Sequence, residues 1–161
     1  MNAFEFLIYK IPSEFGPWLA AFENDELVFL GCYNITKISV EKDLSDFLRK
    51  HYDFVLGDFT PAKWTQGNFW DTKHRIKLQG TDFQMTVWME LLKIPRGKTV
   101  TYSDLANKLG KPDAVRAVAS AVAKNPVSYW IPCHRAVSKN LKALDSGPEA
   151  RKNLLQSEGA I

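Results

Sequence analysis

The four consecutive residues Pro132-Cys133-His134-Arg135 set a thiol, an imidazole and a guanidinium side by side. The thiolate is the reactive form of cysteine, and a free thiol with a pKa of about 8.5 is mostly protonated at neutral pH. Nucleophilic work at Cys133 therefore needs a base or a cation nearby. His134 is the nearest base, acting directly or through a bridging water, because adjacent side chains often diverge. An imidazole in that role is oriented by a carboxylate. Glu158, near the end of the last predicted helix, is the first candidate and Glu149 is the alternative.

The sequence offers little for a metal. Cys32 and Cys133 lack C-x-x-C spacing, and His51, His74 and His134 are scattered. The pattern predicts neither a disulfide framework nor a zinc site, and it implies no cofactor. Cys32 ends an apolar strand pattern and reads as a small buried hydrophobe.

The net charge of +3 is unevenly spread. Residues 1–75 carry 8 Lys/Arg and 11 Asp/Glu, a net of −3; residues 76–161 carry 13 and 7, a net of +6. A basic half that also holds the reactive motif points to a phosphate-bearing partner, with uneven scatter of charge as the bland alternative. A chain of 161 residues with 45% apolar content fits one soluble domain, or two small ones sharing a core. No apolar run approaches the roughly 20 residues of a membrane span, and the N-terminus lacks a signal peptide's basic region. The expectation is a cytoplasmic, nucleoid-associated monomer with no membrane partner.

The elements that must position Cys133 can be read in order. Segments 4–10, 16–22 and 27–32 are strand-like, with a hairpin turn at Asn24-Asp25. Residues 43–52 form an amphipathic helix pattern with Leu44, Phe47, Leu48 and His51 on one side. The aromatic-rich stretch 54–70 is irregular, its aromatics read as core, and 71–78 is a polar connector. Thr81 and Gln84 have capping-box spacing at the start of a helix that Pro95-Arg96-Gly97 stops. Thr101 caps a helix over 102–109 that Gly110 closes, and a further helix follows over 113–124. Two short helices around a glycine turn fit a helix-turn-helix.

On a wheel of the 113–124 helix, Val115, Val118, Ala119 and Val122 share one face. The opposite face carries Ala117, Ser120, Ala121 and Lys124, with Arg116 at the border. Such a small-residue face suits close approach to a nucleic-acid groove; a buried alanine-rich helix is the competing reading. If the helix docks on DNA, Arg116 is long enough to fill the gap left by an extruded base. Asn125-Pro126 ends the helix, and the buried segment 127–131 leads to Cys133. Ser146 and Glu149 have capping-box spacing at the last helix, which Gly159 ends.

These residues together resemble the methylated-DNA-protein-cysteine methyltransferases, also called O(6)-alkylguanine-DNA alkyltransferases. The matching stretches are Gly80-Thr81-x-Phe83-Gln84, Ile94-Pro95-x-Gly97, Thr101-Tyr102-x-x-Leu105-Ala106, Ala114 to Val118, Asn125-Pro126, Ile131 to Arg135, and Glu158-Gly159. The resemblance covers about half the chain closely. It implies an α+β fold: a small ribonuclease-H-like α/β domain over 1–75, then a mostly helical domain with a winged helix-turn-helix over 76–161. It implies stoichiometric transfer of an alkyl group from O(6)-alkylguanine, with O(4)-alkylthymine as a further substrate, in double-stranded DNA to Cys133 after base flipping. His134 and Glu158 then activate the thiol through a water, Tyr102 assists the departing guanine, and Asn125 is the hinge before the active-site segment. Arg116 replaces the flipped nucleotide; Thr101, Ala117, Ser120, Ala121, Lys124 and Arg135 join it against DNA. Ala136, Leu144, Asp145 and Ser146 complete the base pocket with Tyr102.

The chain departs from the family pattern at three places. Ala119 and Ser120 stand at positions that are usually glycine or similarly small. The glycine-rich, aromatic-containing loop after the cysteine is replaced by 141–147, about two residues shorter, with Leu144 where a tyrosine is usual. Ala136 replaces a branched residue. The altered loop leaves a damage sensor that binds without transfer as an alternative. A winged-helix transcription regulator and a cysteine hydrolase using Cys133 and His134 are readings from other classes.

Overall fold

The computed structural model describes residues 6–33, 39–52, 60–65, 67–140 and 149–161. Strands β1 (Phe6–Ile11), β2 (Trp18–Glu23) and β3 (Glu26–Cys32) form an antiparallel meander. Two-residue strands flank it, β4 (Ala62–Lys63) parallel to β1 and β5 (Arg75–Ile76) parallel to β3. The sheet order is β4-β1-β2-β3-β5. Asn24 and Asp25, at φ of 47° and 69°, make the tight turn expected between β2 and β3.

Every residue of β2 is buried, because the sheet is covered on both faces. Leu19, Ala21, Val28 and Phe29 pack under α1 (Val40–Tyr52) through Val40, Leu44 and Leu48. Trp18, Ala20 and Phe22 of β2, with Leu27 and Leu30 of β3, share a core with Trp88, Leu91, Val118, Val127 and Ile131. The period of two along β2 thus assigns one face to α1 and the other to the part of the chain that carries Cys133, while in β3 the irregularity opposite Ala21 and Phe22 puts the adjacent Val28 and Phe29 on the α1 side. The expected boundary at 75/76 falls inside β5, and the Lys77 N–H still donates to Leu27 O at 3.0 Å. Part of the polar connector is therefore the edge of the first sheet.

The C-terminal half holds α2 (Asp82–Leu91), β6 (Val100–Thr101), α3 (Tyr102–Lys108), α4 (Val115–Ala123), β7 (Ala136–Val137) and α5 (Glu149–Ser157). The mixed α+β class is the expected one. Strands β6 and β7 pair in parallel. Both bonds of the Thr81/Gln84 capping box are present, at 3.1 and 3.0 Å. Thr101 Oγ1 caps α3 by accepting from the Asp104 N–H at 3.0 Å. At its other end the Gly110 and Lys111 N–H groups bond back to Asn107 and Ala106 carbonyls, with Gly110 at φ 69°. That pattern closes a helix and requires a residue at ease in the left-handed region.

The fully buried Trp88 fixes α2 on α4: its Nε1–H donates to Ala121 O at 2.8 Å. A Cβ at residue 80 would lie 2.4 Å from the Trp88 ring, so Gly80 is what lets the chain pass over it. This packing corrects the expected facing of α4. Ala121 is 3% exposed and belongs to the core, so it is not a DNA-facing residue. Arg116, Ala117, Ser120, Ala123 and Lys124 are the exposed positions.

Candidate active site

Cys133 sits at the end of a tightly held segment. The Leu30 N–H donates to Pro126 O at 2.8 Å, and the Ser128 N–H donates to Leu30 O at 3.0 Å. Residues 126–128 are thereby fastened to β3, on the edge that β5 covers only at Glu26 and Leu27. Asn125 closes the segment from within: its Nδ2 donates to Ile131 O at 2.8 Å, and its Oδ1 accepts from the Val127 N–H at 3.0 Å. Tyr129, at φ 79°, reverses the chain, and its ring packs against Trp18 and Trp70. A short 3-10 turn over Cys133–Arg135 follows, leaving Cys133 half-buried and its thiol free. Asn125, expected as the hinge before the active-site segment, braces that segment from within.

His134 is 1% exposed. Its Nε2 lies 3.0 Å from Glu158 Oε1. Glu158 follows the last residue of α5, where the Gly159 N–H bonds to Gln156 O and the Ala160 N–H to Leu155 O. Gly159 at φ 72° completes this helix ending, so the predicted terminator also aims the carboxylate. Glu158, the first of the two carboxylate candidates, is at the histidine, and the Glu149 side chain lies outside the description. Burial alone would raise the Glu158 pKa, but the Arg135 guanidinium and His134 more than offset it and hold it at about 2. Burial is also the largest influence on His134 and, against the pull of Glu158, lowers it below its usual 6.5. The contact is therefore a neutral imidazole donating to a carboxylate, not an ion pair. An ionised carboxylate can only accept, so Nε2 carries the proton and Nδ1 the lone pair. That Nδ1 is buried and has no hydrogen-bond partner among the described residues.

Arg135 corrects a second expectation. Its Nε and Nη2 donate to the two Glu158 oxygens at 3.0 and 2.8 Å, and its Nη1 donates to Ile94 O at 2.8 Å. With its fork committed inside the fold, Arg135 braces Glu158 and is not placed to bind DNA phosphate.

Tyr102, the first residue of α3, accepts a hydrogen bond at its hydroxyl from Arg151 Nη2 at 3.1 Å. The same nitrogen donates to Ala136 O. Ala136 itself is fully buried in β7, so it offers its carbonyl and not its side chain. Cys133, His134, Tyr102, Asn125, Ser128 and Arg151 line one cavity of about 640 Å³ that runs past Lys124 toward α1. Arg151 and Ser128 were not singled out in the sequence. A helical spacing of seven puts Arg151 on the same face as Glu158, which was the available signal. Thr101 is half-buried and spends its hydroxyl on the α3 cap. Leu144, Asp145 and Ser146, and the Ser146 capping box, lie outside the described residues. Among the described residues no cluster of three or more metal-ligating side chains occurs.

The site can do one kind of chemistry well. A half-buried thiol shares a cavity with a buried imidazole whose tautomer is fixed by an anionic partner. A phenol and a guanidinium, bonded to each other, line the same cavity.

Residues 82–160 match the family model described as 6-O-methylguanine DNA methyltransferase, DNA binding domain. The inducible methylated-DNA–protein-cysteine methyltransferase of Bacillus subtilis is 46% identical over 85 residues, 52% of this chain and 48% of that protein. The chain thus spans about half the length of that relative. The methylated-DNA–protein-cysteine methyltransferase of Methanosarcina barkeri is 34% identical over 131 residues, 68% of this chain and 83% of that protein. Among solved structures, the Mycobacterium tuberculosis O6-methylguanine methyltransferase superposes with a TM-score of 0.70 at 26% identity, covering 97% of this chain and 94% of that one. A crystal structure of the M. tuberculosis protein in complex with DNA superposes with a TM-score of 0.62 at 27% identity, covering 95% and 92%. The likeness extends through the N-terminal half, where the sequence alone had offered only size and element order. With the cysteine segment, its histidine and its carboxylate assembled as described, the chain belongs to the methylated-DNA–protein-cysteine methyltransferase family.

Proposed function

We propose that this protein repairs alkylated DNA directly, taking an alkyl group from O(6) of guanine in duplex DNA onto Sγ of Cys133, once per molecule. The observation that supports the reading best is the buried Nδ1 of His134, without a hydrogen-bond partner among the described residues, on a histidine that lines the same cavity as the half-buried Cys133 and is held in tautomer by Glu158. Through one water, the Cys133 proton passes to Nδ1, leaving a thiolate and an imidazolium next to a carboxylate. The thiolate attacks the alkyl carbon, the C–O bond breaks, and its electron pair leaves on the guanine oxygen. Tyr102 gives the departing base a proton, and the charge left on the phenol oxygen meets the Arg151 guanidinium. The thioether product has no return path, so the protein is spent after a single transfer.

The DNA-binding part of the reading rests on α3 and α4 as a helix-turn-helix within a winged domain over 76–161. The first domain over 1–75, of ribonuclease-H type, braces the active-site segment. The exposed α4 positions Arg116, Ala117, Ser120 and Lys124 are small or cationic, which suits a minor groove. Arg116 then occupies the gap left by the flipped base. We propose that the protein acts as a monomer. No helix among the described residues is long and apolar enough to cross a membrane.

Intact-protein mass after incubation with a duplex carrying O(6)-methylguanine tests this directly. One added methyl per molecule, absent from Cys133→Ser, is the expected result. Selective binding to the damaged duplex with no mass change would overturn transfer in favour of sensing.

A further inference from the structure

We infer that Ser128 is a positioning residue for the nucleophile: its hydroxyl holds the Cys133 thiolate by donating a hydrogen bond to Sγ. The inference deepens the alkyl-transfer reading and rests on it. Cys133 Sγ lies 3.9 Å from Ser128 Oγ, as donor to acceptor in the thiol form. Among the described residues neither group has another hydrogen-bond partner. Ser128 is 6% exposed and lines the same cavity as Cys133.

The hydroxyl is not on a loose loop. The Ser128 N–H is bonded to Leu30 O in the central sheet, and Ser128 and Ile131 bridge to each other across the intervening turn. Tyr129 takes a left-handed conformation at φ 79° without being glycine. Such a residue persists only where its surroundings over-determine it, and here Trp18 and Trp70 hold its ring. The turn folds Ser128 back over the thiol from one side while His134 flanks it in sequence.

A hydroxyl can serve both protonation states of a thiol. While Sγ carries its proton, Ser128 Oγ accepts it. Once that proton has passed to His134, the hydroxyl hydrogen rotates to Sγ and donates, and Ser128 keeps its own proton throughout. A hydrogen bond to an anion is roughly twice as strong as its neutral counterpart, so the exchange favours the thiolate. Among the described residues, the charged or titratable groups that line the same cavity are His134, Arg151 on α5, Tyr102 on α3, Lys124 at the end of α4, and Asp43, Asp46, Lys50 and His51 on α1, with Arg135 and Glu158 behind His134. Substitution at residue 128 leaves all of them in place.

The test needs no damaged DNA, so its failure is separable from failure of the repair reading. The rate of Cys133 alkylation by iodoacetamide is followed against pH in the 161-residue chain, with site-resolved mass. Cys32, 0% exposed, reports on fold integrity by staying unlabelled. Ser128→Ala is expected to move the midpoint of the rate profile up by about one pH unit, as loss of a hydrogen bond to a charged group should. Ser128→Thr, which keeps the hydroxyl, is expected to restore the original midpoint. An unmoved midpoint in Ser128→Ala would overturn the inference. So would equal shifts in both variants, because packing rather than the hydroxyl would then set the thiol's acidity.

Discussion

Arg135 grips Glu158 with two edges of its guanidinium, Nε on Oε2 at 3.0 Å and Nη2 on Oε1 at 2.8 Å. The arginine thereby fixes the carboxylate that fixes the histidine that serves the thiol. With only 5% of the Glu158 side chain exposed, removal of the arginine leaves a buried charge short of partners. Arg135→Ala should cost about 3 kcal/mol of stability, read as a lowered urea midpoint at unchanged slope. Arg135→Lys cannot reproduce the fork and should recover less than half of that. An alanine variant as stable as the parent would mean that the pair contributes no net stability.

The same pair sets an acid limit. The Glu158 pKa is held at about 2 in the fold against an ordinary 4.5, so the fold favours the anion. Its contribution is complete above the ordinary value and is lost as pH falls from 4.5 toward 2. At about 1.4 kcal/mol per unit, the full amount is on the order of 3 kcal/mol. His134 adds a loss in the same direction, because its folded pKa lies below 6.5 and protonating it opposes burial. Stability measured against pH should therefore fall below pH 6.5 and steepen below pH 4.5. Glu158→Gln should be less stable at neutral pH and lack the steeper limb. An unchanged limb in that variant would assign the acid loss to other carboxylates.

What could be read without coordinates was local. The Thr81 and Thr101 caps, the Asn24-Asp25 turn and the Gly110 and Gly159 helix endings each depend on residues within a few positions, and each forms as expected. The Cys133, His134 and Glu158 grouping was legible because a family motif carried it. What was hidden is non-local. Ala121 faces inward because Trp88, thirty-three residues away, takes its carbonyl. A wheel of mostly alanine and valine cannot register that. Arg135 was expected against DNA, since a basic residue beside a reactive motif gives no sign that Ile94 and Glu158 have claimed its donors. Strands β4 and β5 are two residues each, too short to show a period.

Asn125 braces the nucleophile's segment at both ends, so its loss should be felt in rate as well as in stability. Asn125→Ala strands the Val127 N–H inside the protein, at about 1–3 kcal/mol, while Ile131 O loses one donor but keeps the Cys133 N–H at 2.8 Å. Unfolding should move by about 2 kcal/mol. Single-turnover transfer from free O(6)-benzylguanine should slow by more than about tenfold, since small misplacements of reacting groups are costly. A variant destabilised by that amount but transferring at the parent rate would show that the brace serves folding alone.

Arg116 separates the DNA step from the chemical step. It is exposed on α4 and does not line the cavity that holds Cys133. Arg116→Ala should leave stability within about 0.5 kcal/mol of the parent, as surface substitutions usually do. In duplex DNA the target base must first leave the stack, at a few kcal/mol, and a side chain that fills the gap lowers that cost. Free O(6)-benzylguanine needs no such step. Repair of duplex O(6)-methylguanine should therefore slow by about tenfold or more, while reaction with the free base keeps its rate. Lys124→Ala, which removes a charge but no candidate intercalator, should weaken duplex binding and flatten its salt dependence with a smaller effect on the bound rate. Equal losses on both substrates in Arg116→Ala would place the arginine's effect at the thiol and remove base extrusion from its role.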